Sequence, residues 1–171
     1  LNIFNKTQKQ KKPFVVTNRI KRMYITNIII NLDLIGLCFI KYNIGIILLG
    51  LATIFSYFIV IAVNVINSPI EKSIQKKFYN KAKQKLNEMK NLKVVGITGS
   101  FGKTSTKYIV TTILSQKYNV LMTPESYNTT MGVVRTINEK MNSTHNLFVC
   151  EMGAKQVGDI KEICDLVKPS F

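Results

Sequence analysis

A run of 23 residues without a charged side chain places the strongest constraint on the fold of this chain. The sequence of residues 44–66 is IGIILLGLATIFSYFIVIAVNVI, with Tyr57 and Asn64 as its main polar interruptions. About 20 apolar residues are enough to cross the hydrocarbon core of a bilayer, and a helix buried in a soluble protein is rarely apolar on every side for this length. The run therefore predicts a transmembrane helix.

A second, weaker apolar segment lies at residues 24–40. It contains Asn27, Asn31 and Asp33, and an aspartate at membrane depth costs about 2.5–3.5 kcal/mol on insertion scales. A first spanning helix, an interfacial or re-entrant helix and a signal-like segment are the alternatives. No small-residue cleavage site follows, which disfavours the last. Because the linker to the next segment is short, we favour a transmembrane hairpin formed by residues 24–40 and 44–66.

Basic residues flank this hairpin on both sides. Residues 1–93 contain 16 lysine or arginine residues and three acidic ones, whereas residues 94–171 contain eight and six. Positive charge near spanning helices stays in the cytoplasm, so we expect residues 1–23 and everything after residue 66 to lie on the cytoplasmic side of the membrane. Basic residues beside apolar runs suit anionic lipids, whereas a nucleic-acid partner would favour basic and aromatic residues interleaved on a folded face.

Residues 67–92 predict a basic amphipathic linker helix. Its apolar residues recur every four positions between lysines, at Ile70, Ile74, Phe78, Ala82 and Leu86. Such a helix can lie on the inner leaflet or form a solvated linker, and the pattern alone does not separate these two interpretations.

From residue 93 onward, short apolar runs alternate with helical ones. Strands are predicted at residues 93–98, 119–122 and 147–151, and helices at residues 104–116, 131–141 and 158–167. In the first of these helices, the apolar spacing is carried by Ile109, Ile113 and Leu114. The alternation predicts an α/β fold with a partial parallel sheet. Because the chain starts with Leu1 and ends in a loop, we expect it to be cut at one or both ends.

The segment between the first strand and the first of these helices has the pattern of a phosphate-binding loop (P-loop). It consists of Gly99, Ser100, Phe101, Gly102, Lys103, Thr104 and Ser105. Its glycines allow a tight turn with N–H groups facing phosphate oxygens, and the next helix directs its positive end to the same place. Lys103 can reach terminal phosphates, and the Thr104 hydroxyl is placed to bind Mg²⁺.

This loop is a shortened Gly-x-x-Gly-Lys-Thr form, with Ile97 where the full P-loop has a glycine. A chance glycine-rich turn is disfavoured by the position between a strand and a helix. A dinucleotide-binding loop is disfavoured because no acidic residue closes the next strand, residues 119–122.

Two further polar residues lie near the ends of predicted strands. Glu151 ends the third strand, where a carboxylate can meet the Mg²⁺ that neutralises phosphate charge. Taken by its position alone, an ordinary ion pair with a lysine is an equally good interpretation of Glu151. Asn128 lies before a predicted helix and can cap that helix or contact a ligand; from the residues alone we favour the cap.

Together and in this order, these segments resemble the central domain of the Mur ligase family. Gly-Ile-Thr-Gly-Ser-Phe-Gly-Lys-Thr-Ser is similar to its ATP loop, Tyr-Asn-Thr-Thr-Met-Gly to the loop after its second strand, and Glu-Met-Gly-Ala…Gly-Asp-Ile to its magnesium glutamate and next helix. The Glu-Met-Gly form resembles that of the UDP-N-acetylmuramoyl-tripeptide–D-alanyl-D-alanine ligase branch. The resemblance covers residues 93–171, which it identifies as an incomplete Mur-ligase-like ATP-binding domain.

The resemblance implies an ATP-dependent ligase of peptidoglycan precursor synthesis. ATP phosphorylates a substrate carboxylate, and an amine attacks the acyl phosphate to form an amide. By position, residues 99–105 bind ATP, and Lys103 and Glu151 are catalytic, with Lys103 stabilising the transferring phosphoryl group. Thr104 and Glu151 hold Mg²⁺, and Asn128 and Thr129 face the substrate. The implied partners are a small-molecule or lipid-linked precursor and an amino-acid or dipeptide acceptor, and the hairpin adds membrane lipids.

The chain also departs from the family pattern. Membrane segments stand where the family has its UDP-sugar domain, and the family's later histidine, carbamylated lysine and C-terminal domain would lie beyond Phe171. A complete reaction by this chain alone is therefore not expected. The alternatives are another membrane-anchored P-loop ATPase or GTPase and a non-catalytic nucleotide-binding remnant.

Overall fold

The computed structural model describes residues 16–40, 42–125 and 127–171. Its helices and strands in chain order are α1 (Asn18–Ile40), α2 (Tyr42–Ile54), α3 (Ser56–Glu88), β1 (Lys93–Ile97), α4 (Lys103–Leu114), β2 (Val120–Met122), α5 (Thr130–Lys140), β3 (Leu147–Glu151) and α6 (Asp159–Val167). The chain divides into two compact units, Leu1–Lys72 and Ser73–Phe171. The predictions for residues 1–15 and for the linker residue Lys41 lie outside the described residues.

In the first unit, large apolar side chains lie mainly on the surface of the helices. Phe39 is 87% exposed and Ile54 is 73% exposed. Polar contacts join α1 to the first part of α3: Arg22 forms an ion pair with Glu71 at 2.6 Å. One turn further along, the Thr26 hydroxyl and the buried Asn67 amide are hydrogen-bonded. These contacts tie two helices together through polar groups rather than through an apolar core.

The run predicted as one transmembrane helix, residues 44–66, is divided between α2 and α3. The pair Asn43–Ile54 and Ser56–Glu88 bends by 86° at the break between them. The Phe55 carbonyl accepts hydrogen bonds from the N–H groups of Phe58 and Ile59, as a residue does where a new helix starts. Hydropathy depends on the composition of a run and carries no information on whether its helix axis is continuous.

Among the described residues, no single helix is both long enough and apolar enough to cross a membrane. The bent pair around Phe55 meets the length and composition criteria only when its two helices are taken together.

The predicted start of the linker, residue 67, lies inside α3, which continues from Ser56 to Glu88. Ala82 and Leu86 belong to the apolar face predicted for the linker, and both pack into the core of the second unit. At these two positions the face therefore neither lies on a leaflet nor is solvated. Lys85 Nζ donates to the carbonyl oxygen of Ile137 at 3.0 Å, near the end of α5. The four-residue period is therefore explained in part by packing against the unit's own core.

The second unit is built on a parallel sheet with the order β1-β3-β2. The strands and helices predicted from residue 93 onward are confirmed, and every boundary lies within two residues of its predicted position. All five residues of the central strand β3 are buried. A parallel strand covered on both faces is an almost continuous apolar run, which is why residues 147–150 were recognisable.

Helices cover both faces of this sheet. Because successive side chains of a strand point to opposite faces, Leu147 and Val149 pack on the side of α4, whereas Phe148 and Cys150 pack in the core that α5 and α6 help to form. The same alternation turns Glu151 toward α4. After α6 the chain returns to the sheet, where the Gly96 N–H donates to the Phe171 carbonyl at 2.9 Å.

Candidate active site

Three loops meet at one edge of the sheet, since parallel strands have their carboxyl ends on the same side. The loop after β1 contains Gly99 with φ +149° and Gly102 with φ +75°, backbone conformations that residues with a Cβ rarely adopt. Gly102 is the N-cap of α4 and provides no side-chain cap. The first N–H groups of a helix lack partners within the helix, so this end of α4 is suited to an anion.

Side chains of this loop differ in what they contact. Lys103 folds back over the loop and donates from Nζ to the Gly99 carbonyl at 2.6 Å and to the Ser100 carbonyl at 3.4 Å. Phe101 is 94% exposed at the tip of the loop. Ser105 lies on the exposed side of the first turn of α4. Of the predicted ATP-binding residues, Thr104 is the one whose side chain reaches Glu151.

The carboxylate of Glu151 is the centre of the site. The Thr104 hydroxyl lies 3.2 Å from Oε1 and 3.1 Å from Oε2, and Asn128 Nδ2 donates to Oε1 at 3.4 Å. Lys107 Nζ lies 2.9 Å from Oε2. The Glu151 N–H donates to the Thr123 hydroxyl at 3.0 Å, which fixes the backbone at the end of β3.

These contacts set the charge state of Glu151. Burial alone raises the pKa of this carboxyl, but the hydrogen bond and charge of Lys107, with the hydrogen bonds from Thr104 and Asn128, outweigh burial and hold the pKa below its usual range. Next to it, burial raises the pKa of the Cys150 thiol to about 12. At neutral pH, Glu151 is therefore an ionised carboxylate and Cys150 is an unreactive thiol.

The prediction that Asn128 caps the following helix is wrong. Thr129 is the N-cap of α5, and its side chain accepts from the Gly132 N–H at 3.3 Å. Asn128 instead accepts at its backbone oxygen from Gly153 N–H at 2.7 Å and turns its amide to Glu151. A Cβ at Gly153 would lie 2.8 Å from the Asn128 side chain, so this contact requires a glycine after Met152.

Thr129, which was predicted to face the substrate, lines a cavity. The cavity has a volume of about 200 Å³ and is formed with Thr130, Met131, Gly153 and Asp159. The geometry thus joins the three predicted segments in one place: a glycine loop, an amide and a carboxylate, with a cavity beside them.

This arrangement can be compared with known proteins. Residues 97–171 match the Mur ligase middle domain. The chain is 37% identical over 78 residues to the UDP-N-acetylmuramoyl-tripeptide–D-alanyl-D-alanine ligase of a Synechocystis species, a match that covers 46% of this chain and 17% of that enzyme. It is 38% identical over 80 residues to the enzyme of the same name from Mycobacterium leprae, covering 47% of this chain and 15% of that enzyme.

Solved structures agree with this match. The MurF ligase of Thermotoga maritima in complex with ADP is similar with a TM-score of 0.52 and 35% identity, over 56% of this chain and 22% of that one. A MurF structure from Acinetobacter baumannii gives a TM-score of 0.53 and 30% identity, over 56% and 21%. The second unit therefore has the fold of a Mur ligase middle domain, with a small parallel sheet and helices. The chain spans less than a fifth of the length of the curated relatives.

Lys107 is the residue of this middle-domain site that sequence reasoning missed. Lys107, Val110 and Leu114 lie three and seven positions apart, so they share the helix face that packs on the sheet. Ile109 and Ile113, which were predicted to carry the apolar spacing of this helix, are exposed instead. A lysine on the apolar side of a helix that follows a glycine-rich loop is the signal that could have found it.

The donor set also bears on magnesium. No group of three or more His, Cys, Asp or Glu side chains that could hold a metal is present in the part of the chain that the structure describes. The Thr104 hydroxyl and Glu151 Oε1 supply two oxygen donors 3.2 Å apart. Mg²⁺ commonly takes only one or two carboxylates and completes its octahedron with water and phosphate oxygens. The residues present fit a Mg²⁺ ion that is held jointly with a nucleotide.

Proposed function

We propose that this chain provides the ATP-binding part of a Mur-type ligase that joins a carboxylate to an amine in peptidoglycan precursor synthesis. The observation that carries the proposal is the meeting of Thr104, Asn128 and Glu151 beside the loop at residues 99–105. Three segments far apart in the sequence converge there, in a unit with the fold of the Mur ligase middle domain.

The proposed roles follow from charge and position. The loop and the N-terminal end of α4 would hold the phosphates of ATP. Lys103 would leave the loop carbonyls and stabilise the phosphoryl group as it transfers to the substrate carboxylate, which forms an acyl phosphate. Thr104 and Glu151 would hold Mg²⁺, which neutralises phosphate charge when bound. Asn128 and Thr129 would face the substrate.

The names of the relatives suggest the substrates. Enzymes called UDP-N-acetylmuramoyl-tripeptide–D-alanyl-D-alanine ligases are the curated matches cited above. We propose a muramoyl-peptide precursor, either soluble or lipid-linked, as the carboxylate substrate and a D-alanyl-D-alanine-like dipeptide as the amine.

The first test is nucleotide binding by the full chain in detergent, measured by titration calorimetry. We expect saturable, Mg²⁺-dependent ATP binding that is lost in Lys103→Ala. The exposed Lys117 provides a matched control, because Lys117→Ala removes the same charge away from the loop and should leave binding unchanged. Absence of Mg²⁺-dependent binding in the unmodified chain would support a non-catalytic remnant instead.

The second test separates a ligase from another P-loop ATPase. In the full-length gene product, release of phosphate from ATP should depend on a muramoyl-peptide precursor and rise when D-alanyl-D-alanine is added. ATP hydrolysis that is equal with and without the acceptor would contradict the ligase and favour the ATPase.

We also propose that residues 18–66 attach the protein to the cytoplasmic membrane, with the ATP-binding unit on the cytoplasmic side. The support is the surface position of large apolar residues such as Phe39, Ile54 and Phe58, together with the basic residues on both flanks. Flotation with liposomes that persists in high salt and at alkaline pH is the expected result. Recovery of the protein in the unbound fraction would contradict membrane attachment.

A further inference from the structure

Lys107 has surroundings that its role in the fold does not explain. Its side chain is 0% exposed, and its partner Glu151 is 2% exposed. Taking two charges out of water costs several kcal/mol per ion, and replacing such a pair by apolar residues is often neutral or stabilising. A lysine at this position of α4, where Val110 and Leu114 supply apolar packing, is therefore not needed to hold the helix on the sheet.

The contacts of Lys107 divide the two oxygens of Glu151 between different partners. Lys107 Nζ lies 2.9 Å from Oε2, whereas the Asn128 amide donates to Oε1. The Thr104 hydroxyl is close to both oxygens. With Oε2 fixed by the ammonium group, the oxygen left for a cation is Oε1, on the side of Asn128.

Lys107 also reaches the loop that carries Asn128. Its ammonium group donates to the carbonyl oxygen of Glu125, a residue with φ +41°. The same ammonium group lies 5.3 Å from the ring centroid of Tyr108. One buried side chain thus connects α4, the loop after β2 and the end of β3, which are the three segments that form the site.

We infer that Lys107 is a positioning residue: it fixes Oε2 of Glu151 so that Oε1 and the Thr104 hydroxyl meet the cation of a Mg²⁺–nucleotide complex. The inference rests on the proposed function, since it concerns the carboxylate assigned there to Mg²⁺. Groups that orient a metal ligand through a hydrogen bond typically change metal affinity by about 10–100-fold when they are removed.

The test compares ATP binding over a range of Mg²⁺ concentrations with ATP binding in EDTA, using the full chain in detergent. In Lys107→Met, the Mg²⁺ concentration for half-maximal ATP binding should rise about 10–100-fold. ATP binding in EDTA, which we assign to the loop at residues 99–105, should match that of the unmodified chain. Lys117→Met removes the same charge from an exposed position and should match the unmodified chain in both conditions.

A double-mutant cycle shows whether Lys107 acts through Glu151. Glu151→Gln should remove the Mg²⁺ dependence, and adding Lys107→Met to it should cause no further change. Unaltered Mg²⁺ dependence in Lys107→Met alone would overturn the inference. Equal weakening with Mg²⁺ and with EDTA would do the same, because it indicates only a role in folding.

The cycle also separates failure of the inference from failure of the proposed function. If Glu151→Gln keeps the Mg²⁺ dependence of the unmodified chain, the assignment of Glu151 to Mg²⁺ is wrong whatever Lys107 does. If Lys107→Met does not fold, Lys107→Gln replaces it. Its amide can still donate to Oε2, so the Mg²⁺ concentration for half-maximal ATP binding should rise by less than the about 10–100-fold expected for Lys107→Met. A value equal to that of the unmodified chain would overturn the need for the ammonium group.

Discussion

In residues 16–72, large apolar side chains lie on the helix surfaces and polar groups join the helices, whereas in residues 73–171 the apolar side chains form a core and a charged pair is buried within it. Among the residues that the structure describes, each unit contains one ion pair between segments distant in sequence. Arg22 and Glu71 in the first unit are 32% and 16% exposed, and Lys107 and Glu151 in the second are 0% and 2% exposed.

The difference shows what each unit needs from its surroundings. The second unit satisfies its buried carboxylate with three side chains and covers its sheet on both faces. In the first unit, Val63 is one of the few large apolar residues that are buried among those described. In water, such helices leave much apolar area exposed, and this exposure costs about 25 cal/mol per Å² relative to an apolar environment. The first unit therefore depends on its surroundings more than the second does.

The largest effect should come from breaking the buried pair. Glu151→Met leaves the Lys107 ammonium group buried without its carboxylate, and such changes cost about 3–5 kcal/mol. The free energy of opening is measured by hydrogen exchange of the β3 amides, which reports on the second unit alone. Glu139→Met is the control, because Glu139 pairs with Arg135 on the surface. Similar losses in both variants would contradict the distinction between buried and exposed charge.

A core substitution tests the same contrast for apolar residues. Ile137→Ala removes buried methyl groups from the core of the second unit and should lower the unfolding free energy by about 2–5 kcal/mol. Ile29→Ala should change the unfolding free energy of the first unit by less than about 0.5 kcal/mol, because Ile29 is exposed. Denaturant unfolding followed by hydrogen exchange gives both values. A large loss in Ile29→Ala would mean that partners outside this chain cover α1.

Acid should weaken the second unit through Glu151. Its pKa in the folded state is held below the usual glutamate value, so its contribution to stability is complete above the unfolded-state pKa of about 4.3. That contribution is lost as the pH falls from there through the lower folded-state pKa. Hydrogen exchange or thermal unfolding measured from pH 6 downward should show this loss in the unmodified chain. Glu151→Met should have a flatter profile over that range, and an equally steep one would assign the acid sensitivity to other carboxyl groups.

The sequence predicted the second unit better than the first for a physical reason. The strand runs and the glycine loop are local patterns, and local patterns determined β1, β3 and the start of α4. The partner of Glu151 could not be found in this way, because the pairing with Lys107 depends on how α4 lies across the sheet. The prediction that Ile109 and Ile113 form the packed face of α4 is wrong for the same reason, because which side of a helix a neighbour covers is a tertiary property.

In the first unit, hydropathy indicated helices, which are present, but not their ends. The break at Phe55 lies inside an uninterrupted apolar run, and the boundary predicted near residue 67 falls within α3. An apolar run limits which environments a helix tolerates, and it leaves open where the backbone turns.

The smallest effect is expected for the partly exposed pair in the first unit. Glu71→Gln removes the charge that faces Arg22, and ion pairs accessible to water contribute about 0–1 kcal/mol. Hydrogen exchange of the α1 amides in detergent measures the change, and raising the salt concentration should reduce it further, because exposed charges are screened. A loss of stability as large as that for Glu151→Met, with no dependence on salt, would contradict this small contribution of the Arg22–Glu71 pair. It would mean that Arg22 and Glu71 lie in a low-dielectric environment, where Coulomb interactions are several times stronger than near water. The comparison between the two pairs would then report on the surroundings of the first unit directly, and a pair that is partly exposed in the isolated chain would be buried in its natural setting.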